Sequence, residues 1–180
     1  MKLRLFIAAE IDDRTRAFAT QTQDRLAKSG VTGRFESPEK LHLTLAFLGG
    51  VAPDRLAQIQ TALREACASC RSFELCFDRL GAFPDDRRPR LLWLGPAEES
   101  REYSDCARHV RAAFERIGFA FDHDARAHLT ICRPIYVPKR VLAPLETTVR
   151  LGVHGLALMR SLPAGPTTRY EALERTPFPH

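Results

Sequence analysis

Long apolar runs are missing from this chain. No stretch approaches the roughly 18 residues that a membrane-spanning helix needs. The apolar start of "MKLRLFIAAEIDD" meets Glu10 and Asp12 within a few residues, too soon for the core of a secretory signal. Cysteine is sparse and unpatterned: Cys67, Cys70, Cys76, Cys106 and Cys132 are odd in number and irregular in spacing. That argues against a disulfide framework and for a reducing compartment, with the cytoplasm as the expected location. Cys67-x-x-Cys70 lacks a second Cys or His pair at zinc spacing, and it falls late in an amphipathic helical pattern, so it reads as structural. A Gly-rich turn between a strand and a helix is also absent. With its irregular alternation of strands and helices, the chain therefore reads as α+β with antiparallel sheets rather than doubly wound.

What is present begins with size and charge. A chain of 180 residues fits one large domain or two small lobes, and it can bury about two thirds to three quarters of its unfolded surface. The net charge of +5 and pI near 9.2 would attract polyanions without identifying one.

Leu3 to Ala9 reads as a strand, and Asp12 or Asp13 can cap a helix that Ser29-Gly30 stops after Lys28. "KLHLTLAFLGG" alternates, with Leu41, Leu43, Leu45 and Phe47 on one face and His42, Thr44 and Ala46 on the other, until Gly49-Gly50 ends it. On that reading Phe47 is core. From Pro53 a helix carries Leu56, Ile59, Leu63, Ala66 and Cys67 at helical spacing. "SFELCF" and "RLLWLG" read as strands, with "GAFPDDRRPR" as the loop between them. Ser100 caps a helix with Tyr103, Ala107, Val110, Phe114 and Ile117 on one face, closed by Gly118. A strand at 128–132 is expected to break at Pro134. Two more lie near 147–153 and 155–160, then the loop-like "SLPAGPTTRY" and a short last strand around Tyr170.

Two of these strands nearly repeat one another, "HLTL" from His42 and "HLTI" from His128, about half the chain apart. Six histidines and twelve threonines in 180 residues put fewer than one His-x-Thr on the chain by chance. On a strand His42 and Thr44 share a side, as do His128 and Thr130. If each half of the chain forms a small sheet with helices outside it, one such pair comes from each wall of a groove. Two facing imidazoles suit phosphodiester cleavage, because histidine titrates at about 6.5 and one ring can be acid while the other is base. No metal is then required. The threonine hydroxyls can hold non-bridging phosphate oxygens.

The duplicated motif resembles the two-histidine phosphoesterase superfamily, in its bacterial and archaeal RNA 2′,3′-cyclic phosphodiesterase branch, often labelled 2′-5′ RNA ligase-like. "LRLFIAAEI", "SPEKLHLTLAFLGGV", "GAFPDDRRPRLLWLG", "HLTICR" and "LMRSLPAGPTTRYEAL" carry the resemblance along nearly the whole chain. It implies a single bilobal domain over residues 1–180, with two pseudo-symmetric lobes of antiparallel sheet, outer helices and a central active-site groove. It also implies His42 as general acid, His128 as general base, and Thr44 and Thr130 on phosphate, with neither cofactor nor metal. Arg133, three residues after Thr130, matches an arginine that often follows the second motif and suits phosphate by its planar guanidinium. Strict alternation, however, turns it away from His128. Phe35 stands where this branch often has Trp, which weakens any inference of base stacking there.

The expected substrates are RNA ends or small nucleotides bearing a 2′,3′-cyclic phosphate, opened to a 2′-phosphate by a monomeric enzyme. The alternatives are 2′-5′ ligation on the same ends and a non-catalytic RNA-binding module. Arg87, Arg88 and Arg90 could track an RNA backbone or simply be solvated, and Tyr136 and Tyr170 are candidates for base stacking. His123 and Asp124 read as a solvated loop rather than a metal site, and His109 and His180 as surface residues.

Overall fold

Alternation in the first strand, β1 (Leu3–Glu10), buries both of its faces. Leu5, Ile7 and Ala9 join the main core, while Phe6 and Ala8 join a small second cluster with Ala157 and Met159. The computed structural model describes residues 1–180 except 85–88, 123–124, 139–140, 143, 166 and 180. After β1 come α1 (Asp13–Lys28), β2 (Thr32–Phe35), β3 (His42–Val51), α2 (Leu56–Ala68), β4 (Phe73–Phe77), β5 (Arg79–Phe83) and β6 (Leu91–Gly95). The chain continues with α3 (Arg101–Glu115), β7 (Leu129–Tyr136), β8 (Val149–Val153), β9 (Gly155–Ala164) and β10 (Thr167–Pro177). The expected α+β class with antiparallel sheets is what the chain adopts.

One sheet runs β10-β9-β1-β3-β7-β6-β5, with β2 also on β7, and β4 pairs separately with β8. Among the described residues its halves meet at a single bridge, Leu43 opposite Leu129. The helices pack behind this sheet: α1 against β7, α3 against β3, and α2 against β9, β10 and α3. Asp12 caps α1 by accepting from the Thr15 amide at 2.7 Å, and Ser100 caps α3 by accepting from Tyr103 at 3.2 Å. Cys67 and Cys70 are buried in the core, as the helical pattern required. None of the described helices is long and apolar enough to cross a membrane.

Several elements run further than their sequence signals. Gly49 and Gly50 lie inside β3, paired with Leu5 and Arg4, and do not end it. Gly81 to Phe83 belong to β5 because the Trp93 indole lies over Gly81, where a Cβ would come within 2.3 Å of the ring. Pro134 does not break β7. It faces Gly33 beside a register irregularity, the kind of position where a residue without an N–H is tolerated in a ladder. β2 itself carries no alternation signal and exists by pairing with β7. "SLPAGPTTRY" is a hairpin whose strands pair from Thr167–Ala164 onwards, so β10 is long rather than short.

Candidate active site

The Leu43–Leu129 bridge aligns the two repeated motifs antiparallel to each other. Both leucines are fully buried and point into the core, so the residues on either side of them point to the other face. His42 and Thr44 on β3 and His128 and Thr130 on β7 therefore share one face, related by an approximate twofold axis through the leucine pair. The sequence expectation of one motif per wall becomes two neighbouring strands of one sheet.

Each imidazole is anchored in the same way. His42 Nδ1 lies 2.6 Å from the Lys40 carbonyl and His128 Nδ1 lies 2.9 Å from the Arg126 carbonyl, two residues upstream in both cases. A carbonyl only accepts, so Nδ1 carries the hydrogen in each ring and Nε2 is left as a base or, once protonated, an acid. Aromatic rings buttress both. Phe6 lies 4.9 Å and Tyr170 5.2 Å from His42, and Phe83 meets His128 edge-on at 5.4 Å. Tyr170 thus packs on His42, whereas Tyr136 is exposed at the end of β7.

Burial holds His42 below its ordinary pKa, opposed by the Lys40 carbonyl and the Glu36 carboxylate, while the charge of His128 adds to the lowering. Burial also lowers His128, opposed by the Arg126 carbonyl and assisted by the positive charges of Arg126 and Arg133. The two rings therefore sit in different fields, an acidic neighbour beside His42 and basic neighbours beside His128.

Alternation fails just after each motif, and in the same way. On β3, Ala8 pairs with Thr44 but Ile7 with Ala46, so Leu45 is an extra residue; Leu45 and Ala46 are both buried and Phe47 turns out, 71% exposed. On β7, Trp93 pairs with Thr130 but Leu92 with Cys132, so Ile131 is extra and Arg133 turns out. These β-bulges reverse the parity of the residues beyond them. Phe47 is therefore not core, as alternation had it, but lies on the His42 face, with its ring 6.1 Å from Phe6. Arg133 likewise joins the His128 face instead of pointing away. The two residues occupy the same position, five after the histidine, in the two copies.

Donors from the helices behind the sheet hold these irregular turns. Buried Gln23 of α1 donates through Nε2 to the Ile131 carbonyl at 2.8 Å and the Glu36 carbonyl at 2.7 Å. Tyr103 of α3 donates its hydroxyl to the Thr44 carbonyl at 2.8 Å. A helical polar residue aimed at an interrupted ladder is the signal that sequence reading passed over.

Arg133 donates from Nε to Glu36 at 3.3 Å, and Glu36 also faces Arg34 at 3.7 Å. Phe35 points the other way and packs on the main core, so it offers no base a platform. Arg90 is exposed after β5, with its amide on the Phe83 carbonyl at 2.7 Å, while Arg87 and Arg88 lie outside the described residues, as do His123, Asp124 and His180. His109 is exposed on α3. Among the described residues no three His, Cys, Asp or Glu side chains converge on a point that could hold a metal. A cleft of about 680 Å³ runs along the outer side of α3 between Glu99, Asp105, Arg108 and Phe121, and contains neither motif.

Comparison with known proteins matches residues 6–93 to the family described as LigT like Phosphoesterase. Among curated proteins, the RNA 2′,3′-cyclic phosphodiesterase of Archaeoglobus fulgidus is 39% identical over 132 residues, covering 73% of this chain and 72% of that protein. The protein of the same name from Methanothermobacter thermautotrophicus is 34% identical over 133 residues, covering 74% and 72%. The crystal structure of E. coli LigT complexed with 3′-AMP superposes with a TM-score of 0.86 at 25% identity over the whole of both chains. That of TT0787 of Thermus thermophilus gives 0.82 at 26% over 97% of each.

Proposed function

This chain belongs to the LigT-like phosphoesterase family, and from that membership we propose that it opens terminal 2′,3′-cyclic phosphates on RNA to 2′-phosphomonoesters by acid-base catalysis between two histidines. The observation that carries the reading is the pair of His-x-Thr motifs on adjacent antiparallel strands, with Nδ1 of each ring engaged and, among the described residues, both Nε2 atoms without a hydrogen-bond partner. The half-sheets around β3 and β7 are the two lobes of one domain, each supplying one motif.

In the reaction, water attacks phosphorus as its proton passes to Nε2 of His128, and the P–O3′ bond breaks as O3′ takes a proton from Nε2 of His42. The fields around the rings favour this order. Glu36 favours the charged, proton-carrying His42, and Arg126 and Arg133 favour the neutral, proton-accepting His128. Thr44, Thr130 and Arg133 bind the non-bridging oxygens, where negative charge grows in the transition state. Phe47, exposed on the same face, offers its ring to the terminal base. Proton exchange with solvent resets both rings.

The test is a short RNA ending in a 2′,3′-cyclic phosphate, incubated with EDTA and the wild type, His42→Ala or His128→Ala, with the product phosphate position identified. Turnover to a 2′-phosphate, lost in both variants, is the expected result. Bound RNA without turnover by the wild type would sink the hydrolase and leave a binding module.

A further inference from the structure

Arg34 and Arg133 are direct partners across the β2–β7 ladder, so their side chains leave the sheet on the same face, the one that carries His128 and Thr130. Like charges placed opposite one another in a ladder destabilise it. Glu36 offsets part of that repulsion. Its carboxylate, only 13% exposed, lies 3.3 Å from Nε of Arg133 and 3.7 Å from a terminal nitrogen of Arg34. Among the described residues no other carboxylate is ion-paired to either guanidinium. Two positive charges thus share one negative charge, and a net positive charge stays beside the histidine pair.

The arrangement is held from behind. Glu36 donates its amide to the Ile131 carbonyl at 3.0 Å, Gln23 grips the Glu36 and Ile131 carbonyls, and Gly33 approaches so closely that a Cβ there would meet the Arg133 carbonyl at 2.5 Å. Arg34 is nevertheless 63% exposed at its side chain. A surface arginine needs none of this. Glu36 lies against one nitrogen of each guanidinium, Nε of Arg133 and a terminal nitrogen of Arg34, while a guanidinium carries five N–H donors in all.

We propose that Arg34, held beside Arg133 by Glu36, is a subsite for the phosphodiester that precedes the reacting end, so that the protein prefers an oligonucleotide to a mononucleotide substrate. The inference rests on the cyclic phosphodiesterase reading. Arg133 serves the cyclic phosphate itself. Arg34 stands one strand spacing beside it, about 4.8 Å, and its long side chain spans the remaining distance to the next phosphate. The planar guanidinium binds two phosphate oxygens at once, which a lysine at this position could not do. An isolated nucleoside cyclic phosphate has no second phosphate and gains nothing from Arg34.

Three substrates separate the outcomes: a nucleoside 2′,3′-cyclic phosphate, a dinucleotide ending in the same group, and that dinucleotide with an uncharged methylphosphonate linkage. The wild type is expected to favour the charged dinucleotide over both others by about tenfold or more in kcat/KM, the worth of one charge-assisted phosphate contact. Arg34→Ala should lose that preference and treat the charged and uncharged dinucleotides alike, and Arg34→Lys should recover part of it. Equal losses by Arg34→Ala on the mononucleotide and the charged dinucleotide would overturn the subsite. So would a wild type indifferent to the linkage charge. If the wild type turns over neither natural substrate, the phosphodiesterase reading itself falls and takes the subsite with it.

Discussion

With Nδ1 of both imidazoles committed to a carbonyl, only Nε2 can exchange protons with a substrate. Replacing either ring by Ala is expected to lower the rate on a cyclic phosphate end by about 10²–10⁴-fold. The double variant should cost little more than either single one, as for groups that act as a unit; single-turnover kinetics on the three variants checks both. Because burial lowers both pKa values, protonation of the pair is complete only well below the usual imidazole value of about 6.5. On the proposed mechanism, one ring charged and one neutral is the productive state. The kcat/KM profile should therefore be a bell lying on the acid side of about 6.5, falling when both rings are charged and again when both are neutral. Removing a neighbouring negative charge makes a cationic ring harder to form, so Glu36→Gln should move the alkaline limb of that profile to lower pH. An unmoved limb would argue against Glu36 as the support of a protonated His42. The shared face of His42, Thr44, His128 and Thr130 was legible because a strand's period of two needs only three residues to declare itself. The outward turn of Phe47 and of Arg133, an arginine the resemblance had already marked, was not, because an inserted residue reverses parity without changing composition.

Both bulged strands depend on a helix that is remote in sequence. Gln23 reaches the Ile131 carbonyl from α1, and Tyr103 reaches the Thr44 carbonyl from α3. Gln23→Leu keeps roughly the volume but removes a donor from the part-buried Glu36 carbonyl and one of two donors from the buried Ile131 carbonyl, and should cost about 1–3 kcal/mol in urea unfolding. If the bulge then relaxes to a regular ladder, Arg133 turns from the face, and kcat/KM on the cyclic phosphate should fall although Gln23 touches no substrate. The three helices could be read closely from their caps and apolar spacing, since those signals are local. Strand limits could not. β2 exists by pairing with β7, β10 by pairing with β9, and Pro134 is tolerated by the register of its partner, all of which are long-range facts.

At the scale of the molecule, the halves of the sheet are not the halves of the sequence. β9 and β10, from the end of the chain, extend the half that holds the first motif, while α1 and β2, from its beginning, pack on the half that holds the second. The repeat therefore announced two related strands but not how the rest is shared between them. Within each half many rungs join neighbouring strands, whereas between the halves the one rung among the described residues is Leu43–Leu129. Amides at this seam should exchange with deuterium sooner than those in the middle of the β1–β9 ladder, which residue-resolved exchange would register.

That single rung also has a meaning for an engineer of this scaffold. Tolerances add along a linkage, and here, among the described residues, one backbone rung joins the strands that carry His42 and His128, with a short lever on each side. Leu43 and Leu129 point into the core, so on the proposed mechanism a bulkier or smaller side chain at either one is expected to change the spacing of the two histidines without touching the substrate.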